Sequence, residues 1–246
     1  MKKVLFTLLS VAIAAVSLKA FISQDPVIAL PESYSKQFEN EWVKVVRVRY
    51  APLAKLPAHA HNALPAAYVY LNDGGPVMFK HIGASYGAAT RPATKAGGFR
   101  IFRGIAEIHE VENTSPLPSE FLRVEFKTEV KDLDTLRGRF APESAPAGEN
   151  LEKVQFENAQ VRITRVICAT GRAVQVTASA AEPALLIALK PAQFRDAIGK
   201  GLAMRLGQDH WIPASSKIAL SNTGATTGEF LRFDFKTTPL ALPASR

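Results

Sequence analysis

The sequence has little cysteine, and it has no long apolar run beyond its first twenty residues. A single Cys, Cys168, occurs among 246 residues, which excludes an intramolecular disulfide framework and a structural Cys/His zinc finger. Cys168 lies at the end of an apolar run and is predicted to be a buried, inert thiol. Without a second long apolar run, no stable membrane insertion is expected after processing. The hydrophobic fraction of 47% is typical of a globular chain.

The basic residues outnumber the acidic residues without forming a clustered tract. Lys and Arg total 30 and Asp and Glu total 22, a formal charge of +8. The basic residues are spread through apolar runs, which predicts solvated sheet faces at positions such as Arg47, Arg123 and Arg165. Nucleic acid is therefore not an expected partner, and a modest attraction to anionic ligands or envelope surfaces remains open.

The first twenty residues predict a secretory signal. Met1–Lys3 is positively charged, and an apolar run extends from Val4 to Leu18, as in a signal peptide. The run is shorter than the ~20 apolar residues of a spanning helix, which favours cleavage after Ser17 or Ala20 over an uncleaved anchor. Cleavage after Ala20 leaves 27 basic against 22 acidic residues, a charge of +5. No cysteine stands there to carry a lipid, so we expect an exported protein, periplasmic or secreted.

The rest of the chain contains an internal repeat. Phe38-Glu39-Asn40 reappears as Phe156-Glu157-Asn158, a shift of 118, and Glu120–Thr128 reappears as Glu229–Thr237, a shift of 109. The difference falls in a Gly/Ala-rich region, where loops tolerate changes in length. Both copies consist of short alternating runs separated by turn signals, which predict strands of a sandwich or barrel. Two copies predict two similar domains rather than a solenoid.

Three histidines of the first copy lie where a metal site is plausible. His59 and His61 are two residues apart, so in a strand their imidazoles point to the same face. His109 lies in a second alternating run and would complete a three-nitrogen site that suits Zn, Fe, Ni or Cu. Glu107 shares the face of His109 by alternation. It is a candidate substitute ligand or general base, or else an exposed rim carboxylate.

These features resemble the two short motifs of the cupin superfamily. His59–His61 followed by Gly74-Gly75 is similar to the first motif, and Gly98, His109 and Asn113 are similar to positions of the second. The resemblance implies an all-β chain with two tandem cupin-like β-barrels (double-stranded β-helix, or jelly roll), a bicupin. It also implies that one or both barrel mouths can hold a metal.

The resemblance covers about residues 38–128 and 156–237, and it divides the chain into four parts. We predict a signal peptide over 1–20, a metal-capable first domain over 38–128, a linker over 129–155 and a degenerate second domain over 156–238.

Two departures from the family pattern limit the site. The family's Glu ligand, expected near residues 65–67, is missing, so the first copy is at best a three-His site. In the second copy Thr177 and Ser179 match the first two histidines and Ile218 matches the third. That copy is therefore predicted to be metal-free and to be retained for packing.

Two functions remain open at this point. In the first, His59, His61 and His109 hold a divalent transition metal (Fe, Mn, Zn, Ni or Cu), and the protein acts on or binds a small anionic or oxygenated molecule. If it is an enzyme, the resemblance implies a metal-dependent one such as a dioxygenase. In the second, the site is vestigial, and the chain is a non-catalytic small-molecule-binding or structural module of the cell envelope. A homo-oligomer is compatible with both.

Other residues have simpler interpretations. Tyr68 and Tyr70 are candidate pocket-lining residues, although aromatic packing is their common role. Asn113 is assigned to the pocket through its match to the second motif. His81 is predicted to be solvated in a loop, and His210 is predicted to be structural.

Overall fold

The computed structural model describes residues 25–84 and 87–241. Within them the chain is almost entirely β, with one short helix, α1 (Pro26–Ala29). The strands of the N-terminal half are β1 (Tyr34–Glu39), β2 (Val43–Tyr50), β3 (Lys55–His61), β4 (Ala66–Tyr70), β5 (Val77–His81), β6 (Ala88–Arg91), β7 (Phe99–Phe102), β8 (Glu107–Asn113), β9 (Ser119–Phe126) and β10 (Arg137–Phe140). Those of the C-terminal half are β11 (Leu151–Glu157), β12 (Val161–Cys168), β13 (Ala173–Thr177), β14 (Ala184–Ala188), β15 (Ala192–Arg195), β16 (Gly201–Met204), β17 (Asp209–Ile212), β18 (Lys217–Asn222) and β19 (Gly228–Phe235).

The strands form two barrels of the same topology. In the first barrel a six-stranded sheet of order β1-β2-β9-β4-β7-β10 faces a four-stranded sheet of order β3-β8-β5-β6. In the second a five-stranded sheet of order β11-β12-β19-β14-β17 faces a four-stranded sheet of order β13-β18-β15-β16. The prediction of an all-β chain with two tandem barrels is confirmed. The predicted signal peptide lies outside the described residues, and no helix within them is long and apolar enough to cross a membrane.

Strand alternation distributes the apolar side chains among three cores. In β2, Val46 and Val48 point into the first barrel, whereas Val43 and Val45 point out of its back. Those outward side chains pack against the equivalent face of the second barrel, so the two larger sheets share one core. The second barrel has an apolar interior of its own, which includes Cys168 as predicted.

Two equivalent arginines join the barrels. Arg165 in β12 is fully buried; its guanidinium pairs with Glu229 and donates to the carbonyl of Gly97 in the other barrel at 2.5 Å. Correspondingly, Arg47 of the first barrel pairs with Glu120 and donates to the carbonyl of Leu206 in the second barrel. The prediction of a solvated face is therefore wrong for Arg165, because the first copy covers the back of this sheet.

The predicted linker contributes a strand to each barrel. Within residues 129–155, β10 pairs with β7 at the edge of the first barrel, and β11 pairs with β12 in the second. The first sheet likewise begins with β1, ahead of the predicted start of the domain at residue 38. The segment between the copies is thus part of both sheets.

Candidate metal centre

Three neighbouring strands carry the histidines, with β8 between β3 and β5. His109 of β8 lies opposite His59 on one side and opposite His81 on the other, and His61 lies opposite Glu107. Residues directly opposite one another in an antiparallel pair have Cβ atoms about 5 Å apart. The five side chains therefore form one cluster on the inner face of the barrel.

A bulge in β3 shifts the match between the two copies by one residue. The ladder of β3 with β8 is irregular ahead of the first histidine, whereas β13 pairs with β18 without interruption and sets Val176 opposite Ile218. The counterparts of the first two histidines are therefore Val176 and Ala178, and the match to Thr177 and Ser179 is wrong by one position. All three counterparts are apolar side chains that offer no ligand atom.

His59 is oriented by two hydrogen bonds. Its Nδ1 lies 2.9 Å from the carbonyl of Pro57, and its Nε2 lies 2.9 Å from the hydroxyl of Tyr34. Because a carbonyl only accepts, Nδ1 carries the proton and Nε2 accepts from Tyr34. Burial, with a smaller contribution from neighbouring cations, lowers the pKa of His59 to about 4, so the ring is neutral at pH 7.

His61 accepts a hydrogen bond from a buried cation. Nη1 of Arg123 donates to Nδ1 of His61, and Nε of Arg123 lies 3.0 Å from a carboxylate oxygen of Glu125. Burial and the charge of Arg123 hold the pKa of His61 well below its usual range. Arg123 is 5% exposed, so the prediction of a solvated face is wrong here too: β9 lies in mid-sheet, and Arg123 points into the barrel.

His109 is buried without a hydrogen bond. It is 4% exposed, and neither ring nitrogen has a hydrogen-bond partner among the described residues. An oxygen of Glu107 lies 3.5 Å from Nδ1. An unsatisfied buried polar group costs about 1–3 kcal/mol. A ligand that occupies the space beside the ring, such as a metal ion, would remove this cost.

His81 and Glu107 form a pair beside His109. Nε2 of His81 lies 3.0 Å from a Glu107 oxygen, and Nδ1 lies 3.0 Å from the carbonyl of Gly87. The side chain of His81 is 8% exposed, so the prediction of a solvated loop residue is wrong, because β5 runs alongside β8. Burial would raise the pKa of Glu107, but the neighbouring imidazoles of His109 and His81 lower it overall.

Two overlapping groups of potential ligands result. In each group, one ligand atom from every residue lies within 4.8 Å of the others. The groups are His59, His61 and His109, and His81, Glu107 and His109. Among the described residues both belong to the first barrel, and they share the unpaired imidazole of His109.

A cavity of about 350 Å³ adjoins the cluster. Its wall includes His61, His81, Glu107 and His109 but not His59. Four guanidinium groups also line it, from Arg91, Arg100, Arg123 and Arg139, and Glu107 is the one acidic side chain in this lining. Aromatic rings complete the wall: Tyr34, Tyr50, Tyr68, Phe79, Phe102 and Phe121. The cavity is thus cationic and partly aromatic.

The three residues assigned to the pocket from sequence occupy different places. Tyr68 lines the cavity. Tyr70 lines a neighbouring cavity instead. Asn113 lines neither: its amide nitrogen donates to the carbonyls of Ala51 and Leu117 at 2.8 and 2.9 Å. The assignment of Asn113 to the pocket is therefore wrong, because its side chain hydrogen-bonds to two loops and holds them together.

No protein-family model matches the sequence, and no curated protein matches it. Solved structures do match. A cupin 2 conserved barrel domain protein from Leptotrichia buccalis is 12% identical over 82% of this chain and 88% of its own, with a TM-score of 0.52. Oxalate decarboxylase from Lactobacillus farciminis, in a formate complex, is 12% identical over 88% and 82%, with a TM-score of 0.53. Salicylate 1,2-dioxygenase from Pseudaminobacter salicylatoxidans is 11% identical over 79% and 71%, with a TM-score of 0.53.

One of these neighbours is named as a cupin barrel domain protein, so the resemblance predicted from the motifs is confirmed for the fold alone. Because the matches cover 79% to 88% of this chain, they extend over both barrels.

Proposed function

We propose that the first barrel binds a divalent transition metal in the histidine cluster centred on His109, and that the metal-loaded cavity binds or acts on a small anionic or oxygenated molecule. The observation that carries this proposal is the buried imidazole of His109, which lacks a hydrogen bond and has potential ligands on both sides and a cationic cavity beside it.

The donor set fits a transition metal. Imidazole nitrogens with one carboxylate suit Fe, Mn, Zn, Ni or Cu, whereas Ca²⁺ and Mg²⁺ prefer oxygen ligands. When bound, such an ion supplies a Lewis-acid or redox centre next to the cavity. The chain's own residues orient the ligands: the Pro57 carbonyl fixes the tautomer of His59, and the Gly87 carbonyl contacts Nδ1 of His81.

The cavity lining supports an anionic ligand with an apolar part. The lining contains four guanidinium groups and a single carboxylate. A carboxylate ligand can accept charge-assisted hydrogen bonds from the guanidinium groups. Arg100 lies over the ring of Tyr68, 4.3 Å from its centroid, so one wall presents a cation beside an aromatic surface. Two of the fold neighbours are named for oxalate and salicylate, which is compatible with a small carboxylate here.

Metal analysis tests the proposal. The protein is purified, loaded separately with Fe²⁺, Mn²⁺, Zn²⁺, Ni²⁺ and Cu²⁺, desalted and analysed for bound metal by elemental mass spectrometry. We expect about one ion per chain with at least one of these metals, a loss of that ion in His109→Ala, and no change in His210→Ala, whose histidine lies in the second barrel. Metal that does not fall in His109→Ala would overturn the proposal.

A metal-free binding module is the second candidate function. It is favoured by the contacts of Arg123 with His61 and of Tyr34 with His59, which occupy nitrogens of two predicted ligands. Calorimetric titration with benzoate, salicylate and oxalate separates the two. Binding that survives unchanged in His109→Ala and needs no metal supports the module, whereas metal-dependent binding supports the first function.

We further propose that the protein is exported after removal of residues 1–20. N-terminal sequencing of the protein isolated from the periplasm and medium of producing cells tests this. A chain that still begins at Met1 would contradict it.

A further inference from the structure

We infer that the metal ligands are His81, Glu107 and His109, and that His59 and His61 are not ligands but support neighbouring groups. This inference rests on the proposed function, since it assigns the ligands of the same centre. Three observations carry it: the contacts of His59 and His61, the donor geometry around Glu107, and the residues that the cavity reaches.

In the group formed by His59, His61 and His109, two of the rings already accept hydrogen bonds that would compete with a metal ion. The Nε2 lone pair of His59 accepts from the hydroxyl of Tyr34 at 2.9 Å. His61 accepts from Arg123 through Nδ1, so the proton of the neutral ring is on Nε2, where it blocks coordination. An ion bound between these rings would have to displace both donors.

Arg123 cannot easily move away. It is 5% exposed inside the barrel and lies 3.0 Å from Glu125, and leaving that place would separate a buried ion pair, which is strongly destabilising. A divalent ion held by His61 would also lie close to this guanidinium, and two like charges repel strongly away from water. Both effects oppose a metal in this group.

The second group has the spacing that a metal requires. Two ligands each about 2.1 Å from one ion, at bond angles of about 90–110°, are about 3.0–3.4 Å apart. Oε2 of Glu107 lies 3.0 Å from Nε2 of His81 and Oε1 lies 3.5 Å from Nδ1 of His109, so a carboxylate that binds one ion through both oxygens places both rings beside it. An ion that replaces the proton shared by His81 and Glu107 therefore needs little movement of the ligands. It also gives a partner to the buried, unpaired ring of His109.

The cavity reaches every member of the second group but only His61 and His109 of the first. His81, Glu107 and His109 all line it, whereas His59 does not. Two imidazoles and one carboxylate are the ligand set of non-haem Fe(II) sites with open positions for substrate. Glu107 thus supplies a carboxylate ligand in place of the Glu that the motif pattern expects near residues 65–67 and that this sequence lacks. His59 and His61 then have a different role, because they hold Tyr34 and Arg123 at the wall of the cavity.

Co²⁺ binding tests the assignment, followed by the visible absorption of the ion and by calorimetry. We expect Glu107→Gln and His81→Ala to weaken Co²⁺ binding by at least about 100-fold, and the matched variants His59→Ala and His61→Ala to weaken it by less than about 5-fold. Far-UV circular dichroism checks that each variant folds. The opposite order of effects, or equal losses in both pairs, would overturn the assignment while leaving a metal site in place.

A conservative variant covers the case in which the histidine variants fail to fold. Tyr34→Phe removes the hydroxyl that binds Nε2 of His59 and keeps the ring. If our assignment is right, the Co²⁺ affinity of this variant is unchanged. If His59 is a ligand, Co²⁺ binds more tightly, because the Tyr34 hydroxyl no longer competes for Nε2. If the wild-type protein binds no Co²⁺ and none of the other metals, the proposed function itself fails, which is a different result from either outcome.

Discussion

Arg165 and Arg47 occupy equivalent positions in the two barrels and differ in burial, so their replacement by Met should have different effects on stability. Arg165 is fully buried, and it pairs with the buried Glu229 while donating to the Gly97 carbonyl. The side chain of Arg47 is 22% exposed, and its partner Glu120 is 28% exposed. Met has a similar length and no charge, so each variant removes the guanidinium and keeps most of the apolar stem.

The expected magnitudes follow from what each variant leaves behind. Arg165→Met leaves Glu229 buried with Lys190 as its remaining partner, at 2.7 Å. Removing one member of a buried pair costs about 3–5 kcal/mol; because Lys190 remains, we expect the lower end, about 3 kcal/mol. Arg47→Met leaves Glu120 partly solvated and still paired with Arg49 at 3.0 Å, so its cost should be about 0–1 kcal/mol.

Scanning calorimetry measures the difference. For a chain of this size, 1 kcal/mol corresponds to about 2–4 °C in the melting temperature, so Arg165→Met should melt about 6–12 °C below the wild type and Arg47→Met less than about 4 °C below it. Equal shifts in the two variants would refute the reasoning, since they would mean that burial of the barrel-joining arginine does not determine its contribution.

Two further predictions concern the first barrel. Metal-free protein should lose stability as the pH falls from about 6.5 to about 4. Burial lowers the pKa of His59 to about 4 from its ordinary value of 6.5. In this pH range the unfolded chain therefore binds a proton at His59 that the folded chain does not, which favours unfolding. Melting temperatures measured against pH in a chelator check this, and a wild-type slope no steeper than that of His59→Gln would contradict it. Arg100→Gln should weaken benzoate binding by about 10–100-fold, as expected for a lost hydrogen bond to a charged group, without changing metal content; Arg137→Gln, at an exposed position, is the calorimetric control. Equal benzoate affinity in the two variants would exclude Arg100 as an anion contact.

The sequence was sufficient for the fold because its signals are local. Alternation in segments such as β2 and β9 indicates strands, and the repeat indicates two similar units. Alternation also separates the two faces of a strand, but it does not tell which face is covered. Both faces of the larger sheets are covered, one by the barrel's own interior and the other by its twin. For this reason the burial of Arg123 and Arg165 could not be predicted.

The candidate site was only partly predictable because it depends on pairing between strands. The spacing of His59 and His61 is a local signal, whereas the position of His81 opposite His109 depends on the register of β5 with β8. The signal that existed was the alternation of Phe79 and His81 in a run ending in histidine. The bulge in β3 adds one residue that repeat matching passes over, which explains the shifted match in the second copy.

The two barrels differ in the polarity of their interiors. At the positions where the first barrel has histidines, the second has the apolar side chains of Val176, Ala178 and Ile218, which pack in or against its core. The interior of the first barrel instead holds the guanidinium of Arg123 and the imidazole of His109, which lacks a hydrogen bond. Groups of this kind cost several kcal/mol when they are not fully satisfied. The core between the larger sheets is formed by side chains of both copies, so folding of the polar barrel is coupled to the burial of apolar surface on its twin. The apolar packing that the two copies share therefore offsets part of the cost of the polar interior of the first barrel.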